Sequence, residues 1–274
     1  MSIQYVTRNH QPTTLGPDNP ARKPLSARET DEFYLAARSM NTLRHELTGR
    51  TLLDYGLRSG ELAHSMDSWV KQERHPRSRE KAWCIDIPRG EVCYSGNRDA
   101  GQQNEGGADL HNTSSACTEC ADRSYDDKDW VDDKFHRKKP WHPKSKASFS
   151  TKVWAIPKET AEETARLLSD FLKPGKQWPV GTSQILLDVG KIVERANERA
   201  KNDPELHGID RHVHTHALRH TFGCRLAAAG FEPTARMRQL RHNDYEMSLY
   251  YSQAWGLRHR DSIRSGEWEA VEDH

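Results

Sequence analysis

The string His216-Ala217-Leu218-Arg219-His220 places an imidazole and a guanidinium three residues apart. At the start of a helix that spacing puts both side chains on one face. The first turn adds unpaired N–H groups and the positive end of the helix dipole. Such a set suits a phosphate. The imidazole titrates near neutrality, and the guanidinium offers a planar fork to phosphate oxygens. A His and an Arg on a helix also occur as a solvated face or a capping pair, so the pair gains meaning from its surroundings. A second chemistry is written in Cys117-x-x-Cys120, with Cys93 upstream. Two thiols at that spacing are a common knuckle for tetrahedral zinc. His111 and Cys84 are the candidates for a fourth ligand. Structural zinc would order residues 93–120 without a core; the alternative is a mobile loop with free thiols. Cys224 falls in a helical stretch and reads as a small buried hydrophobe.

The surroundings of His216 are informative. His216-Ala217-Leu218-Arg219-His220-Thr221-Phe222-Gly223 is followed by Ala228-Ala229-Gly230-Phe231, Leu240-Arg241-His242 and Ser248-Leu249-Tyr250-Tyr251. This order resembles the C-terminal signature of tyrosine recombinases, the phage-integrase-type enzymes. Their pattern is H-x-L-R-H-T-F, a small-residue helix ending in Gly, L-G-H, and a Tyr nine residues after the last His. The register from His242 selects Tyr251 over Tyr250. Gly56-Leu57-Arg58-Ser59-Gly60-Glu61-Leu62 resembles the string around the family's first catalytic arginine. The resemblance spans residues 24–254, roughly, and departs from the pattern at Arg241, where the family has Gly. A Gly there permits a tight turn.

The resemblance implies a mainly α fold with a small antiparallel β-sheet (α+β), that of the family's catalytic domain. It implies a site-specific recombinase or integrase that cuts and rejoins duplex DNA for an archaeal virus or another mobile element. Tyr251 would attack the phosphate, Arg58 and Arg219 would clamp its oxygens, His216 would take the tyrosine proton and His242 would donate to the phosphate. Glu61 would orient Arg58. The family's general acid is a Lys in a β-hairpin turn before a strand ending in I-P or V-P. Lys144 is the first choice, Lys146 the second and Lys152 the third, ahead of Ile156-Pro157. No cofactor is implied for catalysis. The implied partners are duplex DNA and three further copies at a synapse. Fifty-seven residues precede Arg58, where the family carries a core-binding domain, so either the catalytic domain alone grips DNA or an accessory DNA-binding protein supplies the other half. The competing readings are a topoisomerase-like nicking-closing enzyme and a catalytically silent DNA-binding protein of the same fold.

Several elements must position these groups. Residues 1–25 carry four prolines and read as a flexible arm. Ser26-x-x-Glu29 is a capping-box pattern, which predicts a helix from Ala27 with apolar residues recurring through Leu47. A further helical stretch contains Leu52, Leu53, Leu57 and Leu62. Alternation of Trp83, Ile85 and Ile87 predicts a strand in 82–94 that ends at Pro88. Residues 95–130 lack periodicity and form part of a Cys-containing insertion at 93–130. A strand is expected in 147–157, and helices over 158–172, 182–199, 217–229, 234–241 and 246–254. Gly230 stops the third of these, 217–229, at a C′ position. The catalytic domain is expected over 26–256, with a charged tail at 257–274.

Composition sets looser bounds. The chain has 34% hydrophobic and 30% charged residues and a net charge of +1. Basic residues crowd 134–146 and 211–241, which fits either a DNA-binding face or an ordinary solvated surface. No run is apolar enough for a membrane span, so a cytoplasmic protein with thiols rather than disulfides is expected.

Overall fold

Ser26 and Glu29 form a complete capping box. The Ser26 hydroxyl accepts from the Glu29 amide, and the Glu29 carboxylate from the Ser26 amide. Helix α1 (Ala27–Arg38) starts there and buries Phe33, Ala36 and Ala37. The computed structural model describes residues 23–76, 78–93, 108–109, 117, 120, 140–144, 151–156, 158–172, 174, 176–243 and 245. The expected last helix at 246–254, with Tyr251, lies outside them, as do Lys146, His111, the tail and most of the arm.

Helix α2 (Leu43–Tyr55) is the centre of the molecule. It packs on α1, α4 (Lys158–Leu172), α5 (Thr182–Asn202) and α6 (Thr215–Ala228). A helix touched on all sides should be apolar all round, yet α2 buries Arg44, Arg50 and Asp54. Each is paired. Arg44 binds Asp188 of α5, Arg50 binds Glu163 of α4 at 2.7 Å, and Arg225 of α6 binds Asp54 at 3.1 Å. Buried charges are tolerated in such pairs, and these pairs join α2 to three neighbours.

The apolar spacing through Leu62 predicts continued helix, but the chain breaks. Gly56 adopts φ +53°, and α3 (Ser59–Ala63) begins afresh after it. A left-handed residue cannot continue a right-handed helix, and glycine takes that conformation at least cost. Strands β1 (Val70–Arg74), β2 (Lys81–Ile87) and β6 (Thr151–Trp154) form an antiparallel sheet in the order β1-β2-β6. Ile85 is aligned with Val70 on one side and Val153 on the other. Two small pairs complete the strands among the described residues. β3 (Glu91–Val92) pairs with β5 (Pro140–Trp141), and β4 (Ala108–Asp109) with β7 (Lys176–Gln177). The fold is therefore mainly helical with a small antiparallel sheet.

Helix α7 (Pro233–Leu240) docks on the sheet, where the Trp154 amide donates to Gln239 Oε1 at 3.0 Å. Between α6 and α7 the chain turns at Gly230 (φ +74°), with the Phe231 amide donating to the Leu226 carbonyl. Leu25, the last arm residue, is buried, and its amide donates to Thr221 Oγ1 at 2.8 Å. Among the described residues no helix is long and apolar enough to cross a membrane.

Candidate active site

The break at Gly56 builds the centre of the site. Its carbonyl, at the end of α2, accepts from Arg219 Nη1 and from Arg241 Nη2. Cations at a helix C-terminus complement the negative end of its dipole. Two residues on, Arg58 caps α3. Its backbone amide and Nη1 both donate to Glu61, each at 2.8 Å, and Nη2 donates to the Arg241 carbonyl at 3.1 Å. Strings far apart in the sequence thus converge on one small volume.

Glu61 is the hub. It is 2% exposed and also accepts from Arg241 Nε and Nη2, at 3.2 and 2.5 Å. Burial pushes its carboxyl up, but Arg241, Arg58 and Arg219 outweigh burial and hold it at about 2. Two guanidiniums, those of Arg58 and Arg241, therefore pair with this carboxylate, and the positive charge of Arg219 adds to theirs. His242 follows Arg241 directly. Burial and the positive charges of Arg219, Arg58 and Arg241 push its imidazole down to about 2, so it is neutral at pH 7. The pocket keeps a net positive charge, which favours an anion.

Arg241 explains the departure from the Gly of the motif. It sits at φ +53°, ψ 43°, the left-handed conformation a glycine would adopt freely. Its guanidinium is fully buried against Glu61. The charge contact offsets a backbone cost of about 1–3 kcal/mol.

His216 is exposed in the first turn of α6, and Arg219 lies one turn further in, 5% exposed. The cap of α6 is His214, whose Nδ1 accepts from the His216 amide at 3.2 Å. Lys144 is exposed just after β5. Lys152 lies on β6 and pairs with Glu73 of β1, which occupies its ammonium on the sheet. The basic stretch 211–241 is only partly a surface. Arg219, Arg236 and Arg241 are buried, and Arg211 binds Glu29 and the Lys23 and Pro24 carbonyls.

Cys93, Cys117 and Cys120 come together as their spacing predicts, and His64 joins them. Sequence reading missed His64, which closes α3 as its C-cap. Cys84 is not part of the group. It lies on β2, where burial and Glu73 push its thiol up to about 11. In the cluster, hydrogen bonds from the neighbouring thiols of Cys117 and Cys120 hold Cys93 far below the usual thiol range. The Trp141 indole stacks on the His64 ring at 5.3 Å and tilts against Trp69 at 5.1 Å. Four donors of this kind can hold a metal ion.

Gly56→Ala tests how much the turn matters. A Cβ there would lie 2.3 Å from Phe222 Cδ1. Left-handed strain and overpacking together should cost about 3 kcal/mol. The expected result is a lower urea midpoint at an unchanged m-value.

No protein-family model matches the chain, and no curated protein matches it in sequence. Among solved structures, the chain is similar to the Tn1549 transposon integrase in complex with a circular-intermediate DNA. The identity is 17% and the TM-score 0.49, over 85% of this chain and 62% of that one. It is similar to the same integrase in complex with transposon right-end DNA, at 16% identity and a TM-score of 0.48, over 90% and 68% of the two chains. A third similar structure is XerA recombinase, at 14% identity and a TM-score of 0.48, over 93% and 68%. The chain thus spans under two thirds of the first of these structures.

Proposed function

We propose that this chain is a tyrosine-type site-specific DNA recombinase that cleaves and rejoins duplex DNA through a 3′-phosphotyrosine on Tyr251. The observation that carries this reading is the charge of the pocket. Arg58 and Arg241 pair with Glu61, Arg219 adds a third positive charge, and His242 beside them is neutral. Arg58 and Arg219 stand in the strings that resemble the family's catalytic arginines.

On this reading the Tyr251 oxygen attacks phosphorus. The new P–O bond to tyrosine forms as the P–O5′ bond breaks. His216 takes the phenol proton, and Lys144 or Lys146 protonates the leaving 5′-oxygen. Arg58 and Arg219 bind the equatorial oxygens, whose negative charge grows at the pentavalent stage, and His242 donates a hydrogen bond to them. Glu61 positions Arg58 and touches no substrate. Attack by a 5′-hydroxyl on the phosphotyrosine reverses the step and rejoins the strand, because the bond energy is conserved in the covalent intermediate. The partners on this reading are duplex DNA, sister subunits in a synaptic tetramer and an accessory DNA-binding protein, acting on a mobile element in the cytoplasm.

The test is a library of nicked suicide DNA duplexes with randomised sites. The expected result is a denaturant-resistant protein–DNA adduct that survives Tyr250→Phe and disappears with Tyr251→Phe. No adduct across the library, or one that persists in Tyr251→Phe, overturns the assignment. A two-site substrate then separates recombination from simple relaxation.

A further inference from the structure

We propose that His64, Cys93, Cys117 and Cys120 form a tetrahedral structural zinc site that fastens the insertion to the short helix carrying Arg58 and Glu61. The geometry of His64 is the first support. Its Nδ1 lies 2.8 Å from the Gly60 carbonyl. A carbonyl only accepts, so Nδ1 carries the proton and Nε2 presents its lone pair. That lone pair faces Cys117 Sγ and Cys120 Sγ, both at 3.5 Å. Metal-binding histidines are oriented in this way by a carbonyl on the other ring nitrogen.

Distances give the second support. With zinc–sulfur bonds near 2.3 Å and zinc–nitrogen bonds near 2.0 Å, a tetrahedron has S···N edges of about 3.5 Å and S···S edges of about 3.8 Å. The four donor atoms here lie within 4.8 Å of one another. The Cys117 amide also donates to Cys93 Sγ at 3.3 Å, a contact that stabilises thiolate charge. Three thiolates and an imidazole favour zinc over the hard cations, which take oxygen ligands.

Position gives the site its consequence. His64 closes the five-residue helix that Arg58 opens. Trp141 stacks on the His64 ring, and Lys144 follows three residues later. Zinc would therefore hold the lysine-bearing segment in register with the arginine helix. This last step rests on the recombinase reading; the metal site itself does not.

Two experiments on the full chain keep these parts separate. The first is elemental analysis of purified protein without DNA, with cobalt substitution. About one zinc per chain is expected, and cobalt should give the strong visible bands of a four-coordinate thiolate site. His64→Cys should keep the metal, His64→Ala should lose it, and Cys84→Ser and Cys224→Ser should leave it unchanged. Zinc well below one per chain, another metal in its place, a Cys–Cys disulfide, or full zinc in His64→Ala would overturn the site. Should the alanine variant fail to fold, the cobalt spectrum of the unaltered chain still decides.

The second experiment compares cleavage of ordinary suicide DNA with that of DNA carrying a 5′-bridging sulfur, whose leaving group needs no proton. Zinc removal should slow ordinary DNA by about 100-fold or more while sparing the sulfur substrate, because only the former needs the general acid. An equal loss on both substrates overturns the lysine-positioning role and leaves the metal result standing. If the native protein cleaves neither, the recombinase reading fails and the metal result again stands.

Discussion

Arg219→Ala is expected to slow strand cleavage by about 10²–10³-fold while DNA affinity changes far less. The side chain reaches the pocket from α6 and is fixed by its bond to the Gly56 carbonyl. It is 5% exposed, so little water competes for its donors. A guanidinium held in place before the reaction contributes most where negative charge develops, at the pentavalent phosphorus. Arg219→Lys keeps the charge but not the planar fork, so its rate should fall between those of the alanine variant and the native protein. The fold should survive either change, because Glu61 keeps Arg58 and Arg241 as partners. Single-turnover cleavage of suicide DNA, run beside a thermal melt, gives the answer. A native cleavage rate in the alanine variant would overturn the phosphate-binding role proposed for Arg219.

The strings that define this pocket were legible because each is local. His216 and Arg219 share one helix face, and Arg58 and Glu61 lie one turn apart, so spacing alone juxtaposes them. The amphipathic helices were legible for the same reason, and 158–172 appears as α4 with those bounds. The break at Gly56 was not. Leu57 and Leu62 keep an apolar rhythm, and only the packing of Phe222 of α6 shows why the residue at the turn carries no side chain. Strand β1 was missed because it reads Val-Lys-Gln-Glu-Arg and buries only Val70. His64 stands 53 residues from Cys117, so no spacing rule links them. Its position directly after the Arg58 helix was the one local signal. Arg241 looked like a defect in a motif. Its role depends on a carboxylate 180 residues away, and a lone arginine in a sequence is ordinarily read as exposed.

Glu61→Ala is the substitution expected to cost most in stability. It removes the acceptor for the Arg58 side chain and backbone and leaves the fully buried Arg241 without its carboxylate. Breaking a buried pair from one side costs about 3–5 kcal/mol, a large share of the roughly 5–15 kcal/mol that holds a domain together. The pH dependence identifies the cause. Glu61 titrates at about 2 when folded and near 4.5 when unfolded. Its contribution is therefore complete above 4.5 and is lost as pH falls through 2, amounting to about 3 kcal/mol. His242 adds an upper leg. Its folded value of about 2 lies below the ordinary 6.5, so below 6.5 the unfolded chain binds a proton that the folded one refuses. Native stability should then decline in two stages, from 6.5 downward and again from 4.5 downward. In Glu61→Ala the lower stage should vanish while the upper stage persists. Urea unfolding between pH 2.5 and 7.5 resolves both stages, and a native-like lower stage in the variant would place the acid-sensitive charge elsewhere.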